Sequence, residues 1–173
     1  MKTTTLFIRN FILPFCFFSV LSTAAWAQNF ANFSGTWEYD KVKSTAGTEQ
    51  AGYDGKVVRK ITQNATSIAY RDTYSRPGSG DWSTTDEVFM LNGKNKVKKQ
   101  GRETVKKMVK WTTNKENLTL TYMSVYEEKG LSSDLAIAET YSLADGGKTL
   151  IIERLFKNGS TGETKATSVY HRR

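Results

Sequence analysis

Polar and apolar residues alternate in short runs along most of this chain, and a period of two is typical of half-buried β-strands. Turn signals such as Asn92-Gly93 and Asp145-Gly146-Gly147 separate the runs at short intervals. The sequence contains only two prolines, so few of the runs are interrupted. The pattern predicts a series of short strands at residues 33–39, 56–63, 67–75, 82–91, 95–102, 104–113, 118–127, 136–143, 149–157 and 164–171.

This series predicts an all-β protein, a single antiparallel up-and-down β-barrel of about 8–10 strands with little helix. Residues 40–55 form the longest stretch without a strand pattern, and we expect a short helix there or a lid over one mouth of the barrel. Gly35 and Trp37 open the first strand. Glycine allows a tight bend, and the indole ring would then plug the base of the barrel.

Alternation also predicts which side chains face the interior. In one strand, for example, Leu118, Leu120, Tyr122 and Tyr126 share a parity. Aromatic rings on such faces either fill a small barrel or line a pocket. We expect the aromatic residues that line a cavity to be Tyr70, Trp111, Tyr122 and Tyr141.

Four charged residues share the parity of these apolar faces, namely Asp72, Lys107, Glu139 and Arg154. A charge that is removed from water costs several kcal/mol unless it is paired. The four residues therefore either pair inside a packed barrel or line a wet cavity that holds a ligand. A place at the barrel rim, or a β-bulge that shifts the parity, would also account for single residues. We favour the cavity, because a dry barrel of this size does not readily hold four charges.

The first 27 residues have the pattern of a signal peptide, and residues 28–173 are predicted to form one domain. Lys2 and Arg9 precede an apolar run at 11–21 that is too short to span a membrane, and Ala25-Trp26-Ala27 is a cleavage signal. Cleavage would also remove Cys16, the only cysteine, so the mature protein would have no disulfide and no thiolate metal site. We expect export to the periplasm or beyond.

The chain is basic, with a formal net charge of +8 at pH 7. The excess is concentrated in one segment that carries Lys94, Lys96, Lys98, Lys99, Arg102, Lys106, Lys107 and Lys110 with Glu103 as its single acidic residue. Such a segment could bind an anionic polymer or a membrane surface. It could equally be a solvated hairpin whose lysines protect a sheet edge from pairing. Nothing in it indicates a specific nucleic-acid site.

The sequence contains no recognisable catalytic arrangement. His171 is the only histidine, so a Ser-His-Asp arrangement or a zinc site would lack ligands or depend on that residue alone. No glycine-rich phosphate loop opens a helix. We therefore predict a non-catalytic protein without a metal or a cofactor. Asn-x-Ser/Thr sequences are interpreted as turn residues, at Asn32, Asn64, Asn117 and Asn158.

Both ends of the mature chain resemble bacterial lipocalin-like proteins. The opening Phe33-Ser34-Gly35-Thr36-Trp37, with Lys43-Ser44 after it, is similar to theirs. So is the ending, which reads Tyr141-Ser142-Leu143, Asp145-Gly146-Gly147-Lys148-Thr149-Leu150 and then Val169-Tyr170-His171-Arg172. The resemblance implies a barrel that binds a small apolar or amphipathic molecule. It also implies that a basic residue near the C-terminus, Arg172 or Arg173, packs across Trp37.

The opening also resembles intracellular fatty-acid-binding proteins, but the closing strand departs from their Arg-x-Tyr. Ser168-Val169-Tyr170 stands at the matching positions, so a grip on a fatty-acid carboxylate is not expected. The sequence thus predicts an exported, lipocalin-like, small-molecule-binding protein. In that prediction Gly35, Trp37 and Arg172 are structural. The alternatives are a surface module that binds anionic polymers or membranes through residues 94–110, and an enzyme of unrecognised chemistry.

Overall fold

The computed structural model describes residues 30–45, 53, 55–76, 78–84, 86–128, 131–159 and 162–173. They form one antiparallel sheet of eleven strands, as the all-β prediction required. A one-turn 3₁₀ helix at Asp145–Gly147 is the only helix in these ranges, and no helix among them is long and apolar enough to cross a membrane. The strands are β1 (Gly35–Tyr39), β2 (Lys56–Gln63), β3 (Ser67–Ser75), β4 (Trp82–Ser83), β5 (Glu87–Met90), β6 (Lys96–Gln100), β7 (Glu103–Trp111), β8 (Leu118–Glu128), β9 (Leu131–Ala144), β10 (Thr149–Asn158) and β11 (Gly162–Arg172).

The predicted strands correspond closely to these elements. β2 and β3 have the predicted bounds, whereas the predicted strand at 82–91 is divided into β4 and β5. The leader with its cleavage site lies outside the described residues. So does much of the 40–55 stretch in which a short helix or a lid was expected.

Strands that follow one another in the chain are mostly neighbours in the sheet. The order is β4-β3-β2-β1-β11-β10-β9-β8-β7-β6, with β5 also paired to β3. The first and last strands pair directly, with Trp37 opposite Arg172. The two edges of the sheet are not joined to each other by backbone pairing, so hydrogen bonds do not close the sheet into a barrel.

The sheet curls so that one face becomes a shared interior. Arg59 on β2 contacts Glu139 on β9, although β1, β11 and β10 separate these strands in the sheet. The rings of Tyr70 on β3 and Tyr141 on β9 lie 6.5 Å apart. A flat sheet could not bring these residues together, because neighbouring strands are spaced by about 4.8 Å.

Buried apolar residues from both halves of the sheet form one hydrophobic core, as the inward parity predicted. Leu118 and Leu120 are 0% and 2% exposed, respectively. Tyr126 has the same parity but is 42% exposed. It lies towards the end of β8, opposite Glu103 at the start of β7, so the inward-facing parity does not bury the side chain at this end of the strand.

Trp37 closes the core at its base. The indole is fully buried, its Nε1–H donates a hydrogen bond to the carbonyl of Phe33 (3.0 Å), and the Arg172 guanidinium lies 4.3 Å from the ring centroid. Gly35 has a φ of 150°, and a Cβ at this position would lie 2.9 Å from Nη1 of Arg172. Glycine therefore leaves room for the arginine that covers the indole.

The segment before β1 crosses this base and reaches the β7–β8 turn. The backbone N–H of Ala31 donates to the carbonyl of Lys115 (3.0 Å). The ring of Phe33 packs against Trp111 and Tyr141, with centroids 6.2 and 5.8 Å away. The base is thus filled by aromatic rings from several strands.

Candidate functional site

A cavity of about 370 Å³, here called the interior cavity, lies on the concave face of the sheet. Side chains from β2, β3, β5, β8, β9 and β10 contribute to its wall, together with Thr84 after β4. Its apolar and aromatic lining consists of Tyr70, Tyr74, Phe89, Leu120, Tyr122 and Ile137. Apart from Thr84, its polar lining consists of the charged residues Arg59, Asp72, Glu87, Glu139 and Arg154.

The strand register arranges the interior side chains in layers. Leu120, Glu139 and Arg154 stand opposite one another on β8, β9 and β10. The layer above contains Lys107, Tyr122 and Ile137. The layer below contains Trp111, Leu118 and Tyr141. Residues that pair across antiparallel strands lie on the same face, so each layer points inward as a unit.

Arg59 is the centre of a buried ionic network. It is 1% exposed, and its Nε and Nη2 both donate to the carboxylate of Asp72 at 2.7 Å. Its Nη1 donates to the hydroxyl of Tyr141 at 3.0 Å. The guanidinium also lies over two aromatic rings, 4.3 Å from the centroid of Tyr70 and 5.5 Å from that of Tyr170. Protein groups therefore balance the charge of Arg59 and hold its guanidinium in place.

Glu139 extends the network across the interior. Its Oε2 accepts a hydrogen bond from the hydroxyl of Tyr141 at 2.8 Å and lies 3.6 Å from Nη1 of Arg59. Its Oε1 accepts hydrogen bonds from Nε of Arg154, at 3.0 Å, and from Nη2 of the same side chain. The buried ionic network thus consists of Asp72, Arg59, Tyr141, Glu139 and Arg154.

The network holds its ionisable groups in defined protonation states. Burial raises the pKa of Glu139, but the positive charges of Arg59 and Arg154 outweigh burial, and the net pKa lies below the ordinary value of 4.5. Burial raises the pKa of Tyr141 well above 10.0. Burial and the charge of Glu139 likewise raise the pKa of Tyr70. At neutral pH the carboxylate of Glu139 is charged and both phenols are protonated.

Lys107 and Glu87 form a second ionic contact at the opening between the sheet edges. Lys107 lies on β7 and Glu87 on β5, and the ammonium and the carboxylate are paired. Lys107 also lies 5.2 Å from the ring centroid of Phe89. This contact joins the two strands across the gap that backbone pairing leaves open.

Of the residues expected to line a cavity, Tyr70, Asp72, Tyr122, Glu139 and Arg154 line the interior cavity. Tyr141 is not part of this lining, but it holds two lining residues, Arg59 and Glu139, by hydrogen bonds. Lys107 contacts the wall through Glu87 without being part of it.

Trp111 does not line the interior cavity, which corrects the sequence expectation. It lines a separate hollow of about 340 Å³ at the base, together with Phe30 and Gln63. The reason is the register, since Trp111 belongs to the layer of Leu118 and Tyr141 and is covered by Phe33. Parity predicted the correct face but contained no information about depth.

The sequence interpretation missed Arg59 and Glu87. Arg59 lies between Val57 and Ile61 on β2, so the parity rule that selected the other four charges would have selected it as well. Glu87 has the parity of the buried Phe89 but falls in the predicted strand that the structure divides in two. Both missed residues carry the countercharge for a residue that was predicted.

The basic segment, residues 94–110, lies mainly at the edge of the sheet that β6 forms. β6 is the terminal strand, and all five of its residues are exposed. Lys94, Arg102 and Lys110 are exposed as well, and Lys106 is partly buried. Lys107 pairs with Glu87 across the gap between β7 and β5.

His171 lies outside the interior cavity and holds the chain that follows β1. Its Nε2 is 2.8 Å from Oδ2 of Asp40, whose Oδ1 accepts the backbone N–H groups of Val42 and Lys43. Those backbone hydrogen bonds, and the bond to His171, lower the pKa of Asp40. Among the described residues, no group of three His, Cys, Asp or Glu side chains could hold a metal ion.

No protein-family model matches the chain, and no curated protein matches it.

Proposed function

We propose that this protein is an exported, lipocalin-like binding protein that holds a small apolar or amphipathic molecule in the interior cavity. One observation carries the proposal. The cavity combines an aromatic and aliphatic lining with charged groups that are already paired to one another. Ligand sites are typically concave and largely apolar, with a few polar groups at fixed positions, and volumes of about 300–1,000 Å³ are common.

The lipocalin-like part of the proposal requires that the curled sheet act as a barrel. Its support is the contact between the two sheet edges, where Lys107 of β7 pairs with Glu87 of β5. The pairing of β1 with β11 closes the opposite side through backbone hydrogen bonds. Trp37 at the base, covered by Arg172, fits the resemblance of the chain ends to bacterial lipocalin-like proteins.

A binding role is favoured over catalysis by the way the interior carboxylates are used. Asp72 accepts two hydrogen bonds from Arg59, and Glu139 is held by Arg154 and Tyr141. A general base needs a lone pair that can reach the proton it removes. These carboxylates are held in ion pairs by neighbouring side chains, so we assign them to shaping the wall.

Uptake of an uncharged fluorescent amphipath, N-phenylnaphthylamine, tests the proposal. We expect saturable fluorescence enhancement with wild-type protein and its loss in Ile137→Trp, because the larger side chain fills the cavity. Ala136→Trp is the matched control, since the neighbouring position on β9 faces the other side of the sheet. Equal uptake by the two variants, or no uptake by the wild type, would contradict the proposal.

Export rests on the leader, and mass spectrometry of protein recovered from the host's extracytoplasmic fraction tests it. The expected mature chain begins at Gln28. A chain that keeps Lys2 and Arg9 in that fraction would contradict cleavage at Ala27.

Binding of an anionic membrane through β6 is the second candidate, because a fully exposed basic strand ends the sheet. In this case, co-sedimentation with phosphatidylglycerol vesicles should weaken steeply between about 50 and 200 mM salt. A variant with Lys96→Thr, Lys98→Thr and Lys99→Thr should lose the binding. The charge-matched variant with Lys60→Thr, Lys148→Thr and Lys165→Thr should retain it. Equal effects of the two variants would show that the binding depends on the net charge of the protein and not on β6.

A further inference from the structure

The charges around the interior cavity balance without a ligand. Three cationic side chains each have an anionic partner from the same interior: Arg59 with Asp72, Arg154 with Glu139, and Lys107 with Glu87. These are the charged groups that line the cavity, together with the lysine that touches its wall. No charge of either sign is left for a ligand to neutralise.

This balance determines what a charged ligand would experience. A carboxylate or an ammonium group inside the cavity would lose its water without gaining a countercharge. It would also have to compete with the internal partner of Arg59 or Arg154. Both arginines sit deep in the wall, with side chains 2% and 16% exposed. An uncharged polar group needs no countercharge, so this cost does not apply to it.

One hydroxyl in the lining is available to an uncharged ligand. The ring of Tyr70 packs against Phe89 and Arg59, whereas its hydroxyl has no hydrogen bond to any described residue. Burial and the charge of Glu139 raise the pKa of this phenol, so it remains a donor at neutral pH. Tyr70 is partly buried and lines the cavity, so an acceptor oxygen on a bound ligand would give this hydroxyl a hydrogen-bond partner.

We propose that the interior cavity selects an uncharged amphipathic molecule whose hydroxyl or carbonyl oxygen accepts a hydrogen bond from Tyr70. The inference rests on the proposed binding function and narrows its ligand class. Anionic fatty acids and cationic amphipaths of the same length are disfavoured.

Exposed lysines near the opening offer a different way to bind a fatty acid, with its carboxylate outside the cavity. Lys96 stands opposite Lys107, and Lys98 stands opposite Val105, so both lie on the inward-facing side of β6. A fatty acid could then insert its chain and leave its carboxylate outside, beside these lysines. Such binding would weaken as salt is added and would not depend on Tyr70.

Three probes of equal chain length separate these arrangements: decanol, decanoate and decylammonium. Each competes with bound N-phenylnaphthylamine at about pH 7, with low and high salt compared. We expect decanol to bind, and decanoate to bind roughly a hundredfold more weakly. The reason is that decanoate must be protonated to enter the cavity, and an acid with a pKa of about 5 is only about 1% protonated at pH 7. Decanoate should therefore approach decanol in affinity as the pH is lowered to about 5.

Tyr70→Phe tests the assigned donor. Its expected effect is a roughly tenfold loss of decanol affinity with N-phenylnaphthylamine affinity retained, because the latter offers no acceptor oxygen. Tyr126→Phe, at an exposed tyrosine of β8, is the matched control and should change neither.

The outcomes distinguish this inference from the proposed function. Decanoate that binds as tightly as decanol, or that binds in a salt-sensitive manner through Lys96 and Lys98, overturns the inference and leaves small-molecule binding intact. Unchanged decanol affinity in Tyr70→Phe overturns the assignment of the donor. Failure of every probe to bind wild-type protein overturns the proposed function itself.

Discussion

Arg59 lies among two carboxylates and two tyrosine rings with almost no exposure to solvent. Burying such a charge is expensive, and the attraction of Asp72 and Glu139 compensates for a cost that a hydrophobic residue would not incur. A buried ion pair is therefore weak support for stability as a whole. Its value lies in fixing the positions of the side chains that form the cavity wall.

Arg59→Met should destabilise the protein by about 3–5 kcal/mol, because it leaves Asp72 buried without a countercharge. Urea denaturation measures the loss. Arg71→Met on the neighbouring strand is the control, since Arg71 makes an equally bidentate but half-exposed contact with Asp86. That change should cost less than about 1 kcal/mol. Similar losses in the two variants would show that Arg59 is not buried as described.

Glu139 should give the protein an acid-sensitive stability. Its folded pKa is lowered from 4.5 by Arg59 and Arg154 against the opposing effect of burial, so it stabilises the fold above the unfolded pKa. This contribution is lost as the pH falls through the lowered folded value. The unfolding free energy should fall less steeply below about pH 4.5 in Glu139→Gln than in wild type. Parallel pH profiles would contradict the assignment, and other acidic groups cancel in the comparison.

At the scale of single elements, β6 differs from the other strands. It pairs only with β7, its residues are all exposed, and Val97 lies between two of its lysines with 59% exposure. An edge strand with free N–H and C=O groups can pair with another chain, and lysines are a common protection against this. The basic segment has this structural use whether or not it binds an anionic surface.

Replacing Lys96, Lys98 and Lys99 by threonine should cause concentration-dependent self-association, because the edge keeps its open hydrogen-bonding groups and loses its repulsion. Sedimentation velocity detects it. The variant with Lys60→Thr, Lys148→Thr and Lys165→Thr removes the same charge elsewhere and should remain as dispersed as wild type. Association of both variants to the same degree would attribute the effect to net charge alone.

At the scale of the molecule, two different kinds of contact hold the two sides of the curled sheet. Backbone pairing between β1 and β11 joins the ends of the chain. The other side relies on side chains, with Lys107 bonded to Glu87 and placed over Phe89. Regions held by side chains alone open more readily than continuous ladders do, so this gap is the expected route into the cavity.

Lys107→Met should loosen the contact between β5 and β7 without unfolding the protein. The ion pair is partly exposed, so the unfolding free energy should change by less than about 1 kcal/mol. Amide hydrogen exchange of β5 and β7 should nevertheless become faster, as mass spectrometry of their peptides would report. Lys106→Met, which removes the same charge from the other face of β7, is the control. Equal exchange in both variants would show that the Lys107–Glu87 contact does not hold the edges.

The sequence by itself determined the all-β class, most strand positions and the inward face of most strands. Hydrophobic alternation and turn chemistry are local, so they can be read within a few residues, as the matching bounds of β2 and β3 illustrate. The inward charges were found by the same means, and Arg59 could have been found as well.

Only the tertiary structure decided which charges pair and how deep each ring lies. Arg59 and Glu139 are 80 residues apart in the sequence numbering and meet because the sheet curls. Trp111 and Tyr122 share a face but lie in different layers, since register sets their height above the base. Curl and register depend on contacts summed over the whole sheet, and no short stretch of sequence contains them.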